Sequence, residues 1–271
     1  MNLLNEETFK GRTVLRAEGL AGAVGGRTLW HPVSFHVRGG DKIAVIGPNG
    51  CGKTTLLKAL VRADDGVTVS PSVKIGYFSQ HFDILDESRS VLDNVRASSS
   101  QDETLIRTVL ARLHFFLEDV YKPVGVLSGG ERVKAALAKR FVGDVNTLVL
   151  DEPTSFLDIE SIEAFESLLQ EYEGTVLFVS HDRRFIERVA NRIFAFEKDR
   201  RIRVFDGGYA EYRSGGSPLS GHGGRKEEQL LVLETKISEV LSRLSLEPSA
   251  ELEEEFRSLL ALKRKLSEDG G

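Results

Sequence analysis

Gly47-Pro48-Asn49-Gly50-Cys51-Gly52-Lys53-Thr54-Thr55 is a complete G-x-x-x-x-G-K-T phosphate loop, and it sits in the context such a loop requires. Ile43, Ala44, Val45 and Ile46 before it read as a buried strand, and Leu56, Leu57, Ala59 and Leu60 after it open a helix. Glycines let successive backbone N–H groups turn inward around an anion, and the positive end of the following helix adds to that nest. The stretch is therefore expected to cradle nucleotide phosphates, with Lys53 reaching the β and γ phosphates and the Thr54 hydroxyl placed on Mg²⁺. ATP or GTP with Mg²⁺ is the expected ligand.

The rest of the chain bounds what such a site belongs to. Its 271 residues allow one large α/β core with an appendage, or two small domains. A composition of 41% hydrophobic and 28% charged residues is that of a globular protein. No apolar run approaches the roughly 18–20 residues that cross a bilayer, and Glu6 and Glu7 stand where a secretory signal would be apolar, so the expected location is cytoplasmic. The only cysteine, Cys51, lies in the phosphate loop, which rules out an intrachain disulfide. It reads as a small filler, with a redox switch as the alternative. A net charge of −5 speaks against a dedicated nucleic-acid module but permits a local basic face.

Further stretches carry matching chemistry. Val73, Ile75 and Tyr77 alternate as in a half-buried strand and lead to Gln80, whose amide could reach Mg²⁺ or the attacking water. Leu127-Ser128-Gly129-Gly130-Glu131 opens a helix-forming run, so Ser128, Gly129 and Gly130 make a second anion-binding turn, or simply a helix cap. Two such turns in one chain are both used if two copies face each other. Thr147-Leu148-Val149-Leu150 reads as a buried strand delivering Asp151 and Glu152 to the C-terminal rim of a parallel sheet. There Asp151 is expected to hold the Mg²⁺ shell, and Glu152 to be the general base that takes a proton from water. Val176-Leu177-Phe178-Val179 brings His181 to the same rim, where a neutral imidazole can bond the γ-phosphate or orient the water.

Taken in order, GPNGCGKTT, the Gln80 loop, LSGGE, LVLDE, the Phe156-Leu157-Asp158 turn and VSHD resemble an ATP-binding cassette (ABC) ATPase over roughly residues 14–210. The resemblance implies two cassettes sandwiching two ATP molecules, with Ser128, Gly129 and Gly130 of one completing the site of the other. Glutamate after LSGG, SHDRRFI and the tail FDGGYAEY look like the ABC-F group, whose members lack a membrane domain and act on the ribosome. That implies a translation factor or an antibiotic-resistance factor, with the ribosome and its RNA as partners.

The short interval from Gln80 to Leu127 and the polar cluster at residues 5–8 look like the second, C-terminal cassette of such proteins, an excised half or a truncated product. The second cassette would lie on the same polypeptide in the native protein or come from a homodimer. Two positions depart from the family pattern: Ser155-Phe156 stands where the family has Asn-His, and no aromatic lies near Val24, where one commonly stacks on adenine. Trp30, between Thr28 and Val33, reads as core.

The expected architecture is α/β: an ABC-type P-loop NTPase domain over residues 14–213, with an antiparallel β subdomain and a compact α-helical subdomain. Residues 1–13 read as a linker remnant, 214–224 as a flexible Gly/Ser-rich linker, and 225–268 as a C-terminal α-helical hairpin, from the spacing of Leu230, Leu233, Ile237, Val240 and Leu244 and its restart at Leu252. The hairpin either contacts the ribosome or packs on the cassette. Arg183, Arg184, Arg188, Arg192, Lys198, Arg200, Arg201 and Arg203 form the densest basic stretch, either an RNA contact or a solvated face. The expected function is thus a slow ATPase acting on the ribosome. The alternatives are the ATPase subunit of an ABC membrane transporter, with a membrane partner, and a non-catalytic ATP-gated interaction module.

Overall fold

The computed structural model describes residues 11–79, 84–215 and Phe256. The chain divides into two compact units, Met1–Gly216 and Ser217–Gly271. The elements below belong to the first. Gln80 and the expected hairpin lie outside the described residues, except Phe256, which is helical.

Strands β1 (Thr13–Val24) and β2 (Arg27–Arg38) form a long antiparallel hairpin. Gly25 and Gly26 at its tip both have positive φ, 57° and 79°, which a two-residue hairpin turn matched to strand twist demands. Helix α1 (Lys53–Arg62) follows β3 (Lys42–Ile46) through the phosphate loop, and β4 (Val67–Val69) pairs with β1 to complete a three-stranded sheet ordered β2-β1-β4.

The second sheet contains β5 (Ile75–Phe78), β6 (Thr147–Asp151), β7 (Thr175–Val179), β8 (Arg192–Phe196) and β9 (Ile202–Asp206), in the order β5-β6-β7-β3-β8-β9. All neighbours are parallel except β8 and β9. Every residue of β6 and β7 is buried, as central strands covered on both faces require. Alternation along the strands then sorts the core. Val149, Leu177 and Val179 pack with Leu56, Leu60 and Trp30, on the face that carries α1 and the antiparallel sheet. Leu148, Leu150, Val176 and Phe178 pack with Phe141, Phe165 and Phe185 on the other face.

That second face is covered by α4 (Gly129–Phe141), α5 (Ile159–Glu171) and α6 (Arg183–Val189). A compact helical insertion precedes α4: α2 (Val91–Arg96), α3 (Glu103–Arg112) and 3-10 turns at Leu117–Tyr121 and Val124–Val126. A short α7 (Tyr209–Arg213) follows β9. Ser90, Asp102, Ser128, Asp158 and Asp182 each accept a hydrogen bond from an amide in the first turn of the helix they precede, which fixes where α2 to α6 begin. Helix α1 has no side-chain cap, and its first-turn amides are left for another acceptor.

Candidate nucleotide-binding site

The loop between β3 and α1 depends on glycine for shape. Gly47, Gly50 and Gly52 have φ of 153°, 72° and 111°. A Cβ on Gly47 would fall 2.7 Å from Phe196 Cβ, and one on Gly52 would lie 3.1 Å from the Trp30 ring and 3.2 Å from Leu29. The loop therefore rests on β8 at Gly47 and on β2 at Gly52, with no room for a side chain at either of these two positions. Lys53 is buried, and its Nζ donates to the Gly47 and Pro48 carbonyls, both at 3.0 Å, so the ammonium is held across the loop. Cys51 is half-buried and burial pushes its thiol up, against the Lys53 charge, which keeps it a thiol and suits the filler reading.

Two adjacent strands bring polar groups to the loop, β6 ending at Asp151 with Glu152 next, and β7 leading to His181. Thr54 Oγ1 donates to Asp151 Oδ1 at 3.1 Å. Glu152 follows in a left-handed conformation, φ 53°, and its N–H donates to Val179 O at 3.0 Å, pinning the turn after β6 to β7. The Glu152 carboxylate lies 3.1 Å from His181 Nε2. Burial raises the Glu152 pKa and the Asp151 charge adds to it, while His181 and Lys53 oppose. A carboxylate made more basic in this way, beside an imidazole, can accept a proton from water. His181 is held by its neighbours: Ser180 Oγ lies 3.0 Å from Thr154 Oγ1 and accepts from Asp182 N–H at 3.0 Å.

Lys53, Thr54, Thr55, Asn49, Glu152 and His181 line a cleft of 420 Å³ together with Val24 and Leu29. Val24 is 59% exposed, so the surface offered to a base there is aliphatic. Trp30 is fully buried, its indole N–H bonded to Leu20 O at 3.1 Å, and it is core as the sequence suggests. The Thr54 hydroxyl and the Asp151 carboxylate are hard oxygen donors, and the described residues hold no cluster of three or more His, Cys, Asp or Glu able to cage a metal. Such a donor set fits Mg²⁺, which takes one or two protein oxygens together with substrate phosphates.

Sequence reasoning passed over Tyr77. Its phenol is pushed up to about 12 by burial and then by the Asp151 charge. The available signal was a polar-tipped aromatic on the inner face of a strand ending at the rim.

The second turn stands apart from this cleft. Ser128 and Glu131 form a reciprocal capping box, with Ser128 Oγ 2.7 Å and Ser128 N 2.8 Å from Glu131 Oε2, and these bonds hold the Glu131 carboxyl below its usual range. A Cβ on Gly130 would lie 2.9 Å from Phe156 O, so the turn after β6 is seated on the Ser128 turn. Phe156 itself is left-handed, φ 69°, and 73% exposed. In the basic stretch, Arg184, Arg188, Arg192 and Arg201 pair with Glu163, Glu166, Asp41 and Asp199, so much of its charge is already used. No helix among the described residues is long and apolar enough to cross a membrane.

The sequence profile of the ABC transporter family matches residues 30–155. The ATP-binding protein Uup of Escherichia coli K12 is 40% identical over 221 residues, covering 78% of this chain and 34% of that protein. A Uup-like ATP-binding protein of Haemophilus influenzae is 39% identical over 216 residues, 76% of this chain and 47% of the relative. The energy-dependent translational throttle protein EttA of Escherichia coli K12 is 36% identical over 211 residues, 74% and 38% respectively. The chain thus spans a third to a half of the length of these relatives. Among solved structures, a metal-chelate type ABC transporter in an inward-facing conformation superposes with a TM-score of 0.59 at 26% identity, covering 72% of this chain and 83% of that one. The mixed sheet with its phosphate loop, the motif order and these relatives agree: the chain carries an ATP-binding cassette domain, and the relatives it resembles are ABC-F proteins.

Proposed function

We propose that this chain hydrolyses ATP in a site completed by a second cassette, and that it acts on the ribosome as a translation factor or an antibiotic ribosomal protection factor. The observation that carries the hydrolytic reading is the Glu152–His181 pair facing the Lys53 loop across one cleft. Residues Gly47 to Thr55 would bind the phosphates through loop amides and Lys53. Thr54, Asp151 and Gln80 would hold Mg²⁺, which when bound neutralises charge on the phosphate oxygens. Glu152 takes a proton from the attacking water, whose oxygen bonds to the γ-phosphorus as the bond to the leaving ADP oxygen breaks. His181 orients the water or the γ-phosphate.

Ser128, Gly129 and Gly130 do not line the cleft of their own chain, which supports their use by another cassette, on the same native polypeptide or in a homodimer. As a single cassette the chain should turn over slowly. Similarity to a protein named as a translational throttle supports the ribosome as partner. The transporter reading has the solved ABC transporter in its favour, but the curated relatives cited above are not described as transporters. We infer likewise that residues 14–213 are the ATPase domain; the segments 1–13, 214–224 and 225–268 set apart from it by the sequence lie almost wholly outside the described residues.

A tagged Glu152→Gln chain with Mg-ATP, compared with Lys53→Ala on lysate, tests the partner. Ribosomal RNA and proteins retained by the first alone support the reading; membrane proteins instead make it a transporter subunit. Phosphate release that is fast per molecule and independent of protein concentration refutes the requirement for a second cassette.

A further inference from the structure

Strands β6 and β7 leave the sheet side by side, with Asp151 at the end of one opposite Val179 at the end of the other. Glu152 follows the first and His181 the second, and their side chains meet at 3.1 Å. The two exits are cross-linked twice. The Glu152 N–H donates to Val179 O at 3.0 Å, and two residues further on Thr154 Oγ1 lies 3.0 Å from the Oγ of Ser180, which directly precedes His181.

The second link has a direction. Ser180 is 4% exposed, and its Oγ already accepts from the Asp182 N–H at 3.0 Å. A hydroxyl also has a hydrogen to place, and buried polar groups are nearly always bonded. Among the described residues Thr154 Oγ1 is the acceptor within reach, so Ser180 donates to Thr154. With the backbone bond alone each exit loop can swing about it; the hydroxyl bond fixes the chain on the other side of the Glu152–His181 pair. Neither Thr154 nor Ser180 lines the cleft, so any effect they have on the reaction passes through that pair.

Resting on the hydrolytic reading above, we propose that Thr154 is a positioning residue for hydrolysis: by accepting from Ser180 it locks the Glu152 turn to the His181 turn and holds both side chains on the attacking water. Misplacing a catalytic group by about 1 Å costs about 100-fold in rate, so a single bond between the two turns has a measurable effect.

The test is phosphate release by the full chain at saturating Mg-ATP and high protein concentration, with affinity for a fluorescent ATP analogue and melting temperature measured on the same proteins. Thr154→Val keeps the branched shape and removes the oxygen. It should lower kcat by about 10–100-fold while KM and analogue affinity stay unchanged. Thr154→Ser, which keeps the oxygen, should restore most of the rate. Ser180→Ala should show the same loss in kcat, and adding Thr154→Val to it should cost nothing further, because both remove one bond. An unchanged kcat in folded Thr154→Val overturns the proposal, as does a loss that Thr154→Ser fails to restore or a pair of losses that multiply. A Thr154→Val loss that appears in analogue affinity instead of kcat also overturns it. Absence of phosphate release by the unsubstituted chain overturns the hydrolytic reading, and this proposal with it.

Discussion

Replacing Trp30 with alanine should unfold the chain more readily and damage the phosphate loop at the same time. Trp30 is the chain's only tryptophan and is 1% exposed. Its ring lies over Gly22, where a Cβ would come within 2.2 Å, meets Phe196 edge-on at 5.8 Å, and stands 3.1 Å from the Cβ position of Gly52. Burying an aromatic of this size removes about 200 Å² from water, worth about 5 kcal/mol at about 25 cal/mol per Å². The lost edge contact and the N–H bond to Leu20 each add about 1 kcal/mol. Residual burial in the unfolded chain and collapse around the gap offset part of this, leaving about 4–5 kcal/mol. For a domain of this size the melting temperature should fall by about 8–20 °C. Trp30→Phe, which keeps most of the ring, should cost about 1–2 kcal/mol. Urea unfolding followed by circular dichroism measures both. A Trp30→Ala chain within about 1 kcal/mol of the parent would refute the packing argument. The unsubstituted chain should also change its tryptophan emission on binding nucleotide, because Gly52 rests against the ring.

Glu152→Gln should retain nucleotide binding and lose about 10²–10⁴-fold in phosphate release, measured at saturating Mg-ATP. Val24→Tyr should place a stacking ring at the base end of the cleft and tighten ATP by about 1–3 kcal/mol, the worth of one aromatic–base stack, while the parent should bind ATP and GTP with similar affinity in a competition titration. The Glu166 side chain is 2% exposed, and burial raises its pKa against the pull of Arg188. A carboxyl raised in the folded state contributes stability below its unfolded pKa and loses it as pH rises through the folded value. Glu166→Gln should therefore flatten the decline in melting temperature from about pH 4 upward.

Much of the site could be read from residue order because each piece is local. A phosphate loop needs its strand, glycines and helix within a short stretch, and the all-buried runs of β6 and β7 advertise the central strands directly. The helix start at Ser128 was legible for the same reason, since its side chain serves the amide three residues on. Tyr77 was not legible, since nothing in Ile75-Gly76-Tyr77-Phe78 says which neighbour its hydroxyl will face. Nor was the left-handed Glu152, whose conformation is imposed by a bond to β7 from a residue distant in the chain. The pairing of the basic stretch was not legible for a related reason: Glu163, Glu166 and Asp41 reach its arginines through the fold, and only Asp199 lies within the stretch itself.

By itself, the sequence determined that this is a nucleotide-binding α/β domain of the cassette kind and which residues carry its motifs, because phosphate nests, caps and buried strands are written in neighbouring residues. Only the tertiary structure decided that Thr54 meets Asp151 and Glu152 meets His181, that Ser128 stays outside the cleft of its own chain, and that Trp30 is the wall behind Gly52. Those relations depend on the order β5-β6-β7-β3-β8-β9, which sets side by side strands that are far apart along the chain.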